Sequence, residues 1–127
     1  EKNYFDIAEA LIRAGASLDE QDRDGNTALI LAINKNSYLA ELLLENFANP
    51  LIRNNAGKNA YDICFYKNGI LKHYMIFYLS FISKNEEEFN EGLRNLNFDR
   101  EDLNISITYF LGKCDHYRLK YLMKFFI

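Results

Sequence analysis

The 127-residue chain has no tryptophan, a single proline (Pro50) and only two cysteines. Proline is rarely tolerated inside helices or central strands, but its scarcity also removes the usual punctuation of turn-rich sheet, so the balance favours helices. Cys64 and Cys114 lie 50 residues apart (114 minus 64), which is no disulfide framework. Both read as reduced thiols of an intracellular, cytoplasmic protein. Positive charge is also short: 15 Lys and Arg stand against 18 Asp and Glu, for a net charge of -3. Phosphate binding needs the opposite balance, so a nucleic-acid partner is not expected. No apolar run approaches the ~20 residues that cross a bilayer, and no signal peptide is visible, so no membrane partner is expected either. Nor does any motif call for a cofactor.

What is present is an apolar content of 49%, rich in aromatics, with 10 Phe and 9 Tyr, enough to build a core. The most informative feature is a repeated block. Asp24-Gly25-Asn26-Thr27-Ala28-Leu29-Ile30-Leu31-Ala32 is echoed by Ala56-Gly57-Lys58-Asn59-Ala60-Tyr61-Asp62-Ile63-Cys64, a period of 32 (57 minus 25). Self-similarity at ~20–50 residues marks a stacked-repeat architecture, which works through extended surfaces.

Ile7, Ala10, Leu11 and Ala14 recur at helical spacing, so residues 4–14 read as an amphipathic helix with those four facing inward. Gly15 supplies its stop. Asp22-Arg23-Asp24-Gly25 is a tight-turn signal. Thr27 caps a short helix to about Lys35, and Asn36-Ser37 makes a turn. A second helix presents Leu39, Leu42 and Leu43 and is over by Asn49-Pro50. The unit then restarts: a loop over 50–58 with Gly57 at its turn, a short helix over 59–66, a turn at Lys67-Asn68-Gly69, and a long helix from Ile70.

This pattern resembles the ankyrin repeat. Asp22-Arg23-Asp24-Gly25-Asn26-Thr27-Ala28-Leu29-Ile30-Leu31-Ala32 fits the first half of the family pattern. Leu42-Leu43-Leu44-Glu45-Asn46-Phe47-Ala48-Asn49 fits the second, and Leu11-Ile12-Arg13-Ala14-Gly15-Ala16-Ser17 is a further match. Ala28 and Ile30 stand where the family has Pro and His, and Asn54, Asn59 and Cys64 replace its Asp, Thr and Ala. Phe47 occupies the usual helix-ending Gly, and the period is one residue short. The resemblance implies an all-α solenoid of helix-turn-helix repeats: a partial repeat over 1–17, repeats over about 18–49 and 50–82, and a helical segment over 83–127 that is either a cap or a set of cryptic repeats.

In that last segment Leu71, Met75, Tyr78 and Ile82 stripe the long helix. Ser83 with Glu86 predicts the next cap, followed by a stripe of Phe89, Leu93 and Leu96. Asp99 caps a third helix that turns Leu103, Ile107, Phe110 and Leu111 inward and closes at Gly112. Leu119, Leu122, Met123 and Phe126 stripe the last.

Cys114-Asp115-His116 sets a thiol near an imidazole, the elements of a nucleophile and its base. The competing reading, a helix-to-helix turn with Asp115 as cap, is favoured because adjacent residues rarely aim at one another. Cys64, His73, Cys114 and His116 lack the short paired spacing of structural zinc sites. Glu86-Glu87-Glu88 with Glu91 reads as a solvated helix N-terminus. Arg118, Lys120 and Lys124 among aromatics are too few to prefer a membrane-lying helix over a packed one.

The resemblance implies binding of a partner protein through loop tips and the inner face of the short helices. By matching position, Gln21, Arg23, Asn26, Asn34 and Lys35 belong to that surface from the first complete unit, and Arg53, Asn55, Lys58, Tyr66 and Lys67 from the second. The alternative is an accessory region that positions substrate for a larger multidomain enzyme, the fragment itself not being catalytic. The chain begins with Glu1, and its first helix reads as the second half of a unit, so a piece of a longer protein, or a monomeric fragment, is expected. Its bias to Asn, Lys, Ile and Phe is that of AT-rich genomes, and a secreted bacterial effector acting in a host cytosol is one expectation.

Overall fold

A computed structural model describes residues 2–64 and 70–125. Among the described residues there are eight helices and no strand. They fall into two compact units, residues 1–71 and 72–127.

The first unit holds α1 (Lys2–Arg13), α2 (Ala28–Lys35), α3 (Ser37–Glu45) and α4 (Ala60–Cys64), and it includes the start of α5 (Ile70–Ile82). The α2–α3 pair is made by its caps. Thr27 Oγ1 accepts from the Ile30 amide at 3.3 Å and opens α2. Asn36 then serves both helices: its amide donates to Ala32 O at 2.7 Å to close α2, and its side chain accepts from the Leu39 amide at 3.1 Å to open α3. One short polar residue in extended backbone therefore reverses the chain without a loop. Leu29, Ile30, Ala32 and Ile33 of α2 and Ala40, Leu43 and Leu44 of α3 are buried. α2 packs on α4, and α1 on α3, so short helices meet short helices and long meet long.

At α4, Asn59 Oδ1 accepts from the Asp62 amide and the Asp62 carboxylate accepts from the Asn59 amide, both at 3.0 Å. This reciprocal box is why Asn serves where the family pattern has Thr. The described part of α4 ends at Cys64; the expected continuation to Tyr66 and the turn at 67–69 lie outside the described residues.

α1 corrects one expectation. Ile7 and Leu11 are 57% and 55% exposed, Ala10 and Ala14 are exposed too, and the buried residue is Ile12. Periodicity identifies the residues that share a face; which side of α1 is covered depends on its neighbours, and α1 packs on α3 with Ile12 buried.

The second unit holds most of α5, together with α6 (Glu86–Asn95), α7 (Arg100–Gly112) and α8 (His116–Met123). α5 is buried on most sides, with Leu71, Tyr74, Met75, Ile76, Phe77 and Leu79 inside and Ile82 exposed. Ser83 does not cap α6. Its hydroxyl donates back to Leu79 O at 2.7 Å, and Asn85 caps instead, accepting from the Glu88 amide at 2.8 Å. Asp99 and Asp102 form a capping box on α7, and Asp115 caps α8. α7 buries Leu103, Ser106 and Phe110 and leaves Leu111, expected inside, 57% exposed. Phe89 and Leu93 of α6 and Leu119 and Leu122 of α8 are buried as their spacing predicts, whereas Phe126 lies outside the described residues.

Four helices end in the same way. After α1, α3, α6 and α7 the residues Gly15, Phe47, Asn97 and Cys114 take positive φ (89°, 69°, 60° and 55°). In each case the next amide reaches back to the carbonyl five residues earlier: Ala16 to Leu11, Ala48 to Leu43, Phe98 to Leu93 and Asp115 to Phe110, at 2.8–3.0 Å. This is the Schellman closure, which satisfies terminal carbonyls but favours glycine. α7 thus ends at Gly112, as expected, but the left-handed residue of its closure is Cys114 and not the glycine. Cys114 is exposed, so a glycine there relieves the left-handed backbone with little packing lost. Cys114→Gly is expected to raise stability by about 1 kcal/mol, and Cys114→Val to lower it. Urea unfolding followed by circular dichroism checks both; equal midpoints for the two variants would remove the backbone argument.

Candidate functional site

The repeat loops are built from one pattern used twice. In the first, Asp22 Oδ1 accepts from the amides of Asp24 and Asn26, both at 2.9 Å, while Asp22 N donates to Asn26 O and Gly25 N to Asp22 O. Thirty-two residues on, Asn54 Oδ1 accepts from the amides of Ala56 and Lys58, both at 3.0 Å, with the matching backbone bonds from Asn54 to Lys58 and Gly57 to Asn54. An amide oxygen thus does the work of the carboxylate, and the change from Asp to Asn leaves the turn intact.

The two loops are then stapled together. The Asn55 amide donates to Asp24 O at 2.9 Å, and its side chain to Arg23 O at 3.0 Å. Gln21 Nε2 reaches Gly25 O at 2.7 Å and Arg53 O at 2.9 Å. Asn54 Nδ2 donates to Asn26 Oδ1 at 2.9 Å. Asp19 accepts from the Asn49 amide at 2.8 Å and ties the loop to the end of the α3 segment.

The residues proposed for partner contact therefore separate. Gln21, Asn26 and Asn55 hold loop to loop. Arg53 braces its own repeat, donating to Gly57 O at 2.8 Å and to Asp62 at 3.0 Å. Both partners of that ion pair are well exposed, which makes it worth little to stability. The side chains of Arg23, Asn34, Lys35 and Lys58 are exposed and make no hydrogen bond or ion pair among the described residues. Tyr66 and Lys67 lie outside the described residues. Leu31, 44% exposed, joins Ala28, Asn34 and Lys35 on the outward face of α2. A search confined to polar residues passes over it, although its spacing of three from Ala28 and Asn34 was there to read.

Gly25 and Gly57 both sit at φ +80°, but only Gly25 is crowded: a Cβ there would lie 2.6 Å from Asn55 Oδ1 and 2.7 Å from the Asn55 amide nitrogen. Around Gly57 the space is open. Gly57→Ala is expected to cost about 1 kcal/mol for conformation alone, and Gly25→Ala about 3 kcal/mol, because it also breaks the staple. Chemical denaturation of the two variants gives the comparison, and equal costs would mean that the staple carries no stability.

In the second unit, a shallow groove of about 400 Å³ is lined by His73, Glu101, Asn104, Ile105, Thr108 and Tyr109. His73 is buried at 8% exposure, with Nδ1 2.8 Å from Ser106 Oγ and its ring stacked 4.6 Å from Tyr109. Beside it Lys72 Nζ pairs with Asp102 at 2.8 Å. Burial opposes the charge on Asp102, but hydrogen bonds from Lys72 and the Asp99 amide outweigh it and hold the carboxyl below its ordinary 3.8. For His73, burial and then the Lys72 charge lower the pKa from 6.5, with Asp102 pulling the other way. A base whose folded pKa is depressed stabilises the fold fully above its unfolded value, and that stability is lost as pH falls below it. The urea midpoint is therefore expected to drop between pH about 7.5 and about 5. His73→Gln should flatten that part of the profile, and an unchanged slope in the variant would assign the loss to other groups.

The Cys114-Asp115-His116 stretch is a helix-to-helix turn. One Asp115 carboxylate oxygen accepts from the Arg118 amide at 3.2 Å and the other pairs with Arg118 Nη1 at 2.7 Å, so the carboxylate is committed to the α8 N-terminus. Cys64 is buried and Cys114 exposed, and neither forms a disulfide. No group of three or more metal-ligating side chains gathers among the described residues.

The comparison with known families agrees with the loop geometry: the family model for ankyrin repeats, in three copies, matches residues 1–86. The chain belongs to the ankyrin repeat family. Ankyrin repeats are generally protein–protein interaction modules and are typically non-catalytic. No solved structure matches the chain.

Proposed function

We propose that this chain binds a partner protein through the loop tips and the outward face of α2, with Arg23, Asn34, Lys35, Lys58 and Leu31 making the contacts. The observation that carries this reading is the division of labour in the loops. Gln21, Asn26, Asn54 and Asn55 lock the loops to each other, while the neighbouring side chains of Arg23 and Lys58 project from that frame with no hydrogen-bond or ion-pair partner among the described residues. A surface ordered before the partner arrives loses less entropy on binding, so the same contacts yield more affinity. In the second unit α7 and α8, joined by the turn at 113–115, form a helix pair that lacks the loop hairpin. A cytosolic setting suits two cysteines outside any disulfide.

The test is co-purification from lysate with the wild-type chain and an Arg23→Glu/Lys35→Glu/Lys58→Glu variant. Arg53 is left intact because it braces its own loop. A partner captured by the wild type is expected to fall by about 10-fold or more with the variant, since charge reversal at a docked rim costs over a kcal/mol. Circular dichroism confirms that the variant is folded. Undiminished capture by the folded variant would move the binding surface elsewhere.

A further inference from the structure

The second unit segregates its charge. Residues 86–102 carry seven carboxylates against two arginines, whereas residues 113–124 carry four cations (Lys113, Arg118, Lys120 and Lys124) against one carboxylate, Asp115. In a chain of net charge -3, a local +3 on one helix and its leading turn stands out.

α8 turns Leu119 and Leu122 inward and carries Tyr117, Lys120, Tyr121 and Lys124 on the opposite side, at i, i+3, i+4 and i+7; the inner edges of the two tyrosines pack on α5, Tyr117 6.3 Å from Phe77 and Tyr121 5.0 Å from Phe81, and Tyr121 is half-buried. Tyr117 is 48% exposed, and Lys120 and Lys124 are exposed. The aromatic rings hold the ammonium groups in place. Lys120 Nζ lies 5.6 Å and Lys124 Nζ 5.5 Å from the Tyr121 ring centre, Lys124 lies 4.8 Å from that of Phe125, and the Tyr117 and Tyr121 rings are 5.3 Å apart. Lys124 Nζ also donates to Ser83 O at 3.0 Å, which positions the charge without neutralising it. Among the described residues no carboxylate pairs with either lysine, and the one acid of the segment, Asp115, is committed to Arg118.

We propose that the Tyr117–Lys120–Tyr121–Lys124 face of α8 is a docking surface for an acidic peptide segment of a partner protein. The two lysines stand one helical turn apart, with Cβ atoms about 6 Å from each other, a spacing that neighbouring carboxylates of a peptide can meet. The tyrosines add flat amphipathic area that costs little entropy to immobilise. A membrane surface is the weaker match, because a helix lying on lipid needs an exposed apolar face, and here the leucines are buried. Nucleic acid is also disfavoured, since two or three phosphate contacts bind weakly and the acidic stretch of the same unit repels a polyanion. This surface is built from residues of the second unit alone and does not depend on the reading of the repeat loops.

The experiment is fluorescence anisotropy of a labelled glutamate-rich peptide titrated with the full chain, alongside a lysine-rich peptide and phosphatidylserine vesicles. The glutamate peptide is expected to bind, weakening by about 10-fold or more between about 0.05 M and about 0.5 M salt. Lys120→Glu/Lys124→Glu should weaken it by about 10-fold or more, and Lys120→Gln/Lys124→Gln by less. The variant at Arg23, Lys35 and Lys58 should bind this peptide as the wild type does. Equal affinity of wild type and charge reversal, or no binding by the folded wild type, overturns the proposal. Vesicle binding that the reversal abolishes, without peptide binding, overturns it in favour of lipid.

Discussion

The hydrogen bond from the Asn55 amide to Asp24 O joins the backbone of one loop to that of the next, and the rest of the repeat surface depends on that join. A loop tip has few apolar atoms to bury, so a solenoid cannot hold its loops by packing alone. Here polar side chains supply the missing cohesion. Gln21 bridges a carbonyl of its own turn and one of the following repeat, and Asn54, which shapes its own turn with its oxygen, uses its nitrogen on Asn26. Asparagine and glutamine suit this because one side chain offers both donor and acceptor. The side chains that join loop to loop are neutral, so they leave the charges of Arg23 and Lys58 available for other interactions.

The same economy appears at the helix ends. Closing a helix with a reversed amide requires a left-handed residue, and glycine is the unstrained choice. Only the first of four such closures uses it; Phe47, Asn97 and Cys114 occupy the others. The strain is tolerated because each closure is over-determined. Behind Phe47, Ala48 is buried and its amide bonded, and behind Cys114 sits Asp115, which must be at that position to cap α8 and hold Arg118. A turn that serves two helices cannot relax for the benefit of one residue.

The period of 32 and the order of short and long helices were legible because the residues that make turns and caps are chemically explicit. Asp22 and Asn54, Gly25 and Gly57, Thr27 and Asn59 announce the same geometry in both copies even where the letters differ. What stayed hidden was contingent on neighbours. Ser83 and Asn85 are both good caps two residues apart, and the choice fell to Asn85 because the serine hydroxyl already had the Leu79 carbonyl within reach. The inward side of α1 and the exposure of Leu111 depend on where another helix lies, which periodicity does not encode. Within the loops, polarity alone could not separate the residues that staple, Gln21, Asn26 and Asn55, from those that project, Arg23 and Lys58, because both kinds are hydrophilic and lie side by side.

The second unit solves its cohesion differently, and this explains its unusual aromatic content. α5 is joined to α7 and to the turn that follows it by Lys72–Asp102, His73–Ser106 and Lys113–Tyr74, a ladder of polar contacts laid over Tyr74, Tyr109 and Phe110. The Tyr74 hydroxyl raises the Lys113 pKa and keeps its ammonium charged, and Arg118 lies 5.1 Å from the Tyr74 ring centre and 5.0 Å from that of Phe77. Aliphatic residues could fill this volume, but they could not hold cations against it. Rings accept a cation on their faces while their edges pack, so the unit seats basic side chains over its own core. Arginine and lysine then stay ordered near the surface while Asp115 and Asp102 neutralise only Arg118 and Lys72. Lys120 and Lys124 follow the same rule one layer further out, over the rings of Tyr121 and Phe125.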